Sequence, residues 1–360
     1  MTTFTCEASA LLKALRAVNE ISISSKETQP ILKNVLFTIT GNVAELTRTN
    51  YDGAITKGLR VESEGIWAFT VGGDKVAAVV GTFQGSGQVK ISVADGWMTM
   101  TCGRSKTRYG AIDAGSFPQL TFDDDAAPFT VGEDYIKALA LVAHAADSDE
   151  TRINFAGASH QWIDGKLHLK TTDGNRMARV ITEGGEMPSV ICPNAAVTLL
   201  LKLAGDADKI SISATDARMR WEFGDIAVTY KMVDGKFPDV ARVVRDESPV
   251  TIQIDADALR QVIGRIMILA DDKDRTCRWT IGKDKLSIES RGLGDQGTDE
   301  IACEVVGKGF DAAFRTQFLR DALNALETDT VELGLVDNRA PMMITTPSKP
   351  EALLVVMPTT

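Results

Sequence analysis

Apolar residues recur at i, i+3, i+4 and i+7 in three stretches, ASALLKALRAVNEI, EDYIKALALVAHAA and DADALRQVIGRIMILA, and predict amphipathic helices. Strand-like runs follow each one. The first set is ILKNVLFTI, RINFAGAS and RTCRWTIG; the second is LTRTNYDGAI, LHLKTTDGNRMARV and LSIESRGLGDQ. A second helical segment comes next: DKVAAVVGTF, NAAVTLLLKLAG and TQFLRDALNAL. Each leads into a β-patterned run ending at a turn aspartate, in VKISVADG, KISISATDA and VELGLVDN. These aspartates, Asp95, Asp216 and Asp337, are 121 residues apart in both intervals. Phenylalanine-proline corners at Phe117 and Phe237 follow the first two. The pattern predicts one unit written three times: helix, strands, helix, strands. Period-two alternation with Gly and Asp turns implies antiparallel sheets with helices on one face, an α+β fold.

A length of 360 residues suits two or three cores. The repeat boundaries fall at 1–122, 123–246 and 247–360, with TFDDDAAPF and VVRDESPV as the joints. Asp123, Asp124 and Asp125 read as solvated linker charge. No apolar run approaches the ~20 residues that span a bilayer. MTTFTCEAS lacks the basic-then-apolar pattern of a secretory signal. The five scattered cysteines form no CxxC pair and suggest reduced thiols in a cytoplasmic protein.

The net charge of -10 argues against nucleic acid on average, so the distribution of charge matters more than its sum. No phosphate-binding GxxxxGK[ST], GxSxG or HExxH motif occurs. His144, His160 and His168 lack metal-ligand spacing; His160 and His168 read as surface strand positions. Asp271, Asp272 and Asp274 follow a helix and read as a solvated loop. The residues call for no metal, no cofactor and no catalytic group. A hydrolase with dispersed carboxylates is the remaining enzyme alternative.

Several stretches resemble the bacterial DNA polymerase III beta subunit, the sliding clamp. They are QPILKNV, GRSKTRYG with FPQL, TRINFAG with TTDGNRMA, MVDGKFPDVARVV, FLRDALNAL and VVMP, in that order along the whole chain. The resemblance implies three clamp domains per chain and a head-to-tail homodimer forming a six-domain ring. Twelve helices at ~10 Å spacing would enclose a hole of about 28 Å, wide enough for a hydrated duplex.

On this reading the helices present Lys13, Arg16, Lys75, Lys137, Lys202, Arg260, Arg265 and Arg320 to DNA, with Lys26 in a neighbouring loop. Topology, not affinity, holds the duplex, so a weak, sequence-independent lining suffices. The same residues also fit ordinary solvated helix faces. The family's partners are the polymerase III alpha subunit, the clamp loader and other proteins with clamp-binding peptides; no membrane is involved. The matching peptide-pocket positions are Arg152, Phe155, Thr172, Gly174, Asn175, Arg176 and Met177, then Pro238, Arg242 and Val243, then Val355, Met357 and Pro358. Met, Val and Pro form an adaptable apolar floor framed by arginines, although Met177, Val243 and Val355 also fit plain core. Asn175 and the Thr359-Thr360 end depart from the usual family pattern and imply a more polar rim. The dimer seam would set Thr107 and Tyr109 of one copy against Ile268 and Leu269 of the other. A clamp-like decoy or resistance paralogue competing for clamp partners is the second alternative.

Overall fold

The computed structural model describes residues 2–24, 28–83, 87–122, 126–205, 207–245, 247–270, 276–291 and 295–359. Lys26, Asp123, Asp124, Asp125, Asp271, Asp272, Asp274 and Thr360 lie outside the described residues. Six α-helices appear among the rest, in the predicted places: α1 (Ala8–Val18), α2 (Gly73–Val80), α3 (Glu133–Ala143), α4 (Asn194–Leu203), α5 (Ala256–Ile268) and α6 (Thr316–Leu326). Among the described residues all strand pairings are antiparallel.

The chain packs into two compact units. One comprises residues 1–133 and 198–232, the other 134–197 and 233–360. The central sequence repeat is therefore divided between them. Sheet continuity is the reason. In the first unit, strand Ile226–Lys231 pairs with Gly53–Arg60 and so completes an eight-stranded sheet. In the second, strand Arg176–Thr182 pairs with Ala352–Val356 within a nine-stranded sheet. The first join is close: a Cβ on Gly53 would lie 2.1 Å from the Tyr230 ring. Lys57, itself buried, is ion-paired there with Asp225.

Helix α1 buries Ala8, Leu11, Ala14, Leu15 and Val18, one stripe of an α-helix, against strands Val43–Thr49 and Gly53–Arg60. Buried Arg48 ties α1 to α2. Its guanidinium donates to Asn19 Oδ1 at 2.6 Å, and to Asp74 Oδ1 and Oδ2 at 2.8 and 3.0 Å. Asp74 also sits in the first turn of α2, where a carboxylate suits the helix dipole. In the second unit, the Asp255 side chain caps α5 by accepting from the Ala258 N–H at 2.7 Å.

The repeated aspartates hold their turns differently. Asp95 and Gly96 both have positive φ, 53° and 74°, as a type I′ hairpin requires. Asp337 instead accepts from the Arg339 and Ala340 N–H groups, both at 2.8 Å. The corner residues Phe117 and Phe237 are both buried.

Two strand expectations change. In RINFAGAS the strand begins only at Gly157. Residues 151–156 form turns, with the Phe155 and Ala156 N–H groups donating to the Arg152 carbonyl. In ILKNVLFTI, Pro30–Lys33 is a 3-10 turn, because Pro30 presets φ for its first position. His160 also departs from its surface assignment. It is fully buried between Tyr135, whose hydroxyl is 3.0 Å from Nε2, and the Ala158 carbonyl 3.0 Å from Nδ1. Its strand lies inside the nine-stranded sheet, between Lys166–Thr172 and Val190–Pro193. Burial pushes its pKa down to about 4, so the ring is neutral.

Candidate functional site

The second unit holds an apolar cavity of about 150 Å³. A volume of this size holds a group about as large as benzene. Hairpin 172–176 forms one wall. The Thr172 hydroxyl donates to the Arg176 carbonyl at 2.6 Å and accepts from the Gly174 N–H at 3.1 Å. Gly174 has φ 93°, a conformation that favours glycine. Asp173 Oδ1 accepts from the Asn175 and Arg176 N–H groups. The Met357 N–H donates to the Asn175 carbonyl at 2.8 Å, fastening the C-terminal strand to the hairpin.

Nine predicted pocket residues converge on this cavity: Phe155, Thr172, Gly174, Arg176, Met177, Pro238, Val243, Val355 and Met357. Four do not line it. Arg152 is stacked 4.3 Å from the Phe155 ring, is bonded to Asp147 at 2.5 Å and donates to the Asp173 carbonyl of the hairpin at 3.1 Å. Asn175 contributes its backbone. Arg242 is 85% exposed, 3.3 Å from Asp239. Pro358 pairs with Phe314 instead. The alternative reading of Met177 and Val355 as core also describes them, since both are buried in one cluster with Met343 and Leu353. They serve as core and floor together.

Sequence reasoning missed Asp239 and Val240, which also line the cavity, although both lie inside the quoted FPDVARV run. It also missed the support behind Arg176. This guanidinium bonds Asp173 at 3.0 Å and Asp321 at 2.8 Å, and stacks 4.6 Å from the Phe318 ring. Gln317 donates to Asp321 at 2.6 Å. No local pattern signals contacts across 145 residues.

The basic helix residues divide into two groups. Lys13, Arg16 and Lys75 are exposed and without an ion pair among the described residues. Lys137 is exposed on α3. Lys202 pairs with Glu20, Arg265 bonds Asp299 at 2.6 Å, and Arg320 lies 3.8 Å from Asp321. Arg260 is the exception to its predicted role. It donates to Asp257 at 2.5 Å and to the Leu323 and Thr328 carbonyls at 2.9 and 3.2 Å, capping the C-terminus of α6.

The predicted seam residues lie on or beside two sheet edges. Strand Ser105–Gly110, with Thr107 and Tyr109, is the outer strand of a five-stranded sheet in the first unit. The Thr107 and Tyr109 hydroxyls are shielded from solvent and lack hydrogen-bond partners among the described residues. In the second unit, strand Gln296–Ala302 is the outer strand of a four-stranded sheet. Leu269 packs over its Gly297, and Ile268 is 82% exposed. Lys106 and Arg108 stand on the first edge, Asp299 and Glu300 on the second.

Comparison with known proteins is consistent along the whole chain. Residues 2–121, 132–239 and 241–360 match the N-terminal, central and C-terminal domains of the DNA polymerase III beta subunit. The chain is 25% identical to the beta sliding clamp of Caulobacter vibrioides, covering 98% of each. It is 26% identical to that of Escherichia coli, covering 99% of each. Among solved structures, the Caulobacter crescentus beta sliding clamp superposes with a TM-score of 0.95 at 23% identity, over 100% of this chain and 99% of that one. The Pseudomonas aeruginosa DNA polymerase III subunit beta gives 0.94 at 24%, over 99% and 100%. With all three of its domains matched in order, this chain belongs to the DNA polymerase III beta subunit family.

Proposed function

We propose that the chain is a sliding clamp: a non-catalytic processivity factor that encircles duplex DNA and tethers the replicative polymerase. The observation that carries this reading is the repeated unit, matched end to end by the three family domains. Two copies would close the ring. Each of the two edge strands, Ser105–Gly110 and Gln296–Ala302, has one neighbour in its sheet among the described residues and so offers an open edge to a second copy.

Lys13, Arg16 and Lys75 are the cations best supported for a weak DNA-facing lining, with Lys137, Lys202, Arg265 and Arg320 in a lesser role. Arg260 caps α6 instead. The 150 Å³ cavity would take the apolar anchor of peptides from the polymerase III alpha subunit, the clamp loader and other partners. The repeat boundaries stay at 122 and 246 as functional domains, and the working compartment is the cytoplasm.

The test is loading onto nicked circular DNA with a clamp loader. Retention on the circle and loss upon linearisation are expected. Release that ignores linearisation would overturn the clamp reading.

A further inference from the structure

The sheet face that floors the pocket continues past it. Side chains two apart on a strand share a face. Lys170 thus shares the face of Thr172, and Arg179 that of Met177, both pocket residues. Lys170 and Arg179 stand directly opposite each other in the antiparallel ladder. Like charges so placed repel. Both are half-buried. Neither has an ion pair among the described residues. Lys170 Nζ donates to Gln161 Oε1 at 2.9 Å. Arg179 makes no hydrogen bond among them, and its Nε is shut off from solvent without an acceptor.

The surroundings do not neutralise the pair. Burial, with Arg179 alongside, lowers the Lys170 pKa, and burial lowers that of Arg179. Burial and these same two cations lower that of His168. The carboxylate acting on Lys170 is Asp239, which accepts from the Ala241 N–H at 3.1 Å and lies 3.3 Å from Arg242. By contrast, the buried cations Arg48 and Lys57 and the largely buried Arg176 each have a carboxylate partner.

We propose that Lys170 and Arg179 form a carboxylate-binding shelf beside the pocket, selecting partner peptides that carry an acidic residue next to their apolar anchor. This rests on the pocket reading given above. The step from Thr172 to Lys170 is two residues of strand, about 7 Å, so the acid lies about two residues from the anchor. A guanidinium and an ammonium together supply several donors to one carboxylate.

The test uses the full-length protein and two fluorescein-labelled nonapeptides centred on Leu-Phe. One has glutamate and the other glutamine at the two positions on each side, and binding is read by anisotropy. The glutamate peptide should bind about ten-fold more tightly to the wild type, the scale of a charge-assisted hydrogen bond. Lys170→Gln combined with Arg179→Gln should erase that preference and leave the glutamine peptide's affinity unchanged, which also reports that the variant is folded. Equal binding of both peptides to the wild type, or a preference that survives in the double variant, overturns the shelf and leaves the pocket standing. Failure of both peptides to bind the wild type overturns the pocket reading and the shelf with it.

Discussion

Arg176 Nη1 donates to Asp321 Oδ2 at 2.8 Å, joining the pocket hairpin to helix α6. Both side chains are mostly buried, at 14% and 25% exposure, so the pair is less screened than a surface salt bridge. Asp321→Ala should cost about 1–3 kcal/mol of stability, because it leaves a largely buried guanidinium with one carboxylate fewer. It should also weaken peptide binding, since Arg176 would no longer be held at the pocket wall. Urea unfolding and a double-mutant cycle with Arg176→Ala measure the coupling; additive losses would show that the two do not act together.

Val243 lines the cavity but is only partly buried, which separates binding from folding. Val243→Asp should reduce affinity for an apolar-anchored peptide at least about ten-fold while shifting the melting temperature little. Calorimetric titration and a thermal melt on the same sample check both halves. Unchanged affinity would place the peptide elsewhere.

Ile268 is 82% exposed at the end of α5, a large apolar side chain open to solvent among the described residues. Ile268→Ala with Leu269→Ala should yield monomers. Sedimentation at low micromolar concentration reads this directly, and an intact dimer there would place the seam on other residues.

His160 should make the fold sensitive to mild acid. Its folded pKa is down to about 4, against an ordinary value of 6.5. Above 6.5 it is neutral in both states and has no effect. Between 6.5 and 4 the unfolded chain takes up a proton that the folded chain refuses, so stability falls as pH falls. Over the full window the loss is roughly 3 kcal/mol. His144, also held down to about 4 mainly by burial, adds in the same direction. His160→Gln should flatten the curve of unfolding free energy against pH relative to the wild type. Parallel curves would mean that the ring protonates without cost.

Local pattern explains why so much of this molecule was legible. The six helices needed only apolar residues at helical spacing, and the turn aspartates needed only their own neighbours, as at Asp95 and Asp337. Nine of the positions named through family likeness line one cavity, and the hairpin made by Thr172 and Gly174 has a geometry set within a few residues. Arg152 and Arg242, read as framing the floor, do not line the cavity itself, because sequence position does not reveal where a long side chain ends. Arg152 stacks on Phe155 and bonds Asp147 and the Asp173 carbonyl of the hairpin, and Arg242 reaches Asp239.

The sequence by itself determined a threefold α+β repeat, its six amphipathic helices and the acidic average of the chain, since periodicity and composition are properties of the chain order alone. Only the tertiary structure decided that the central repeat is shared between two packed units, that Arg260 caps α6, that His160 is core, and that Lys170 faces Arg179. Each of these depends on which strands or helices meet across long sequence separations. That choice is made by sheet register and burial, and no local pattern encodes it.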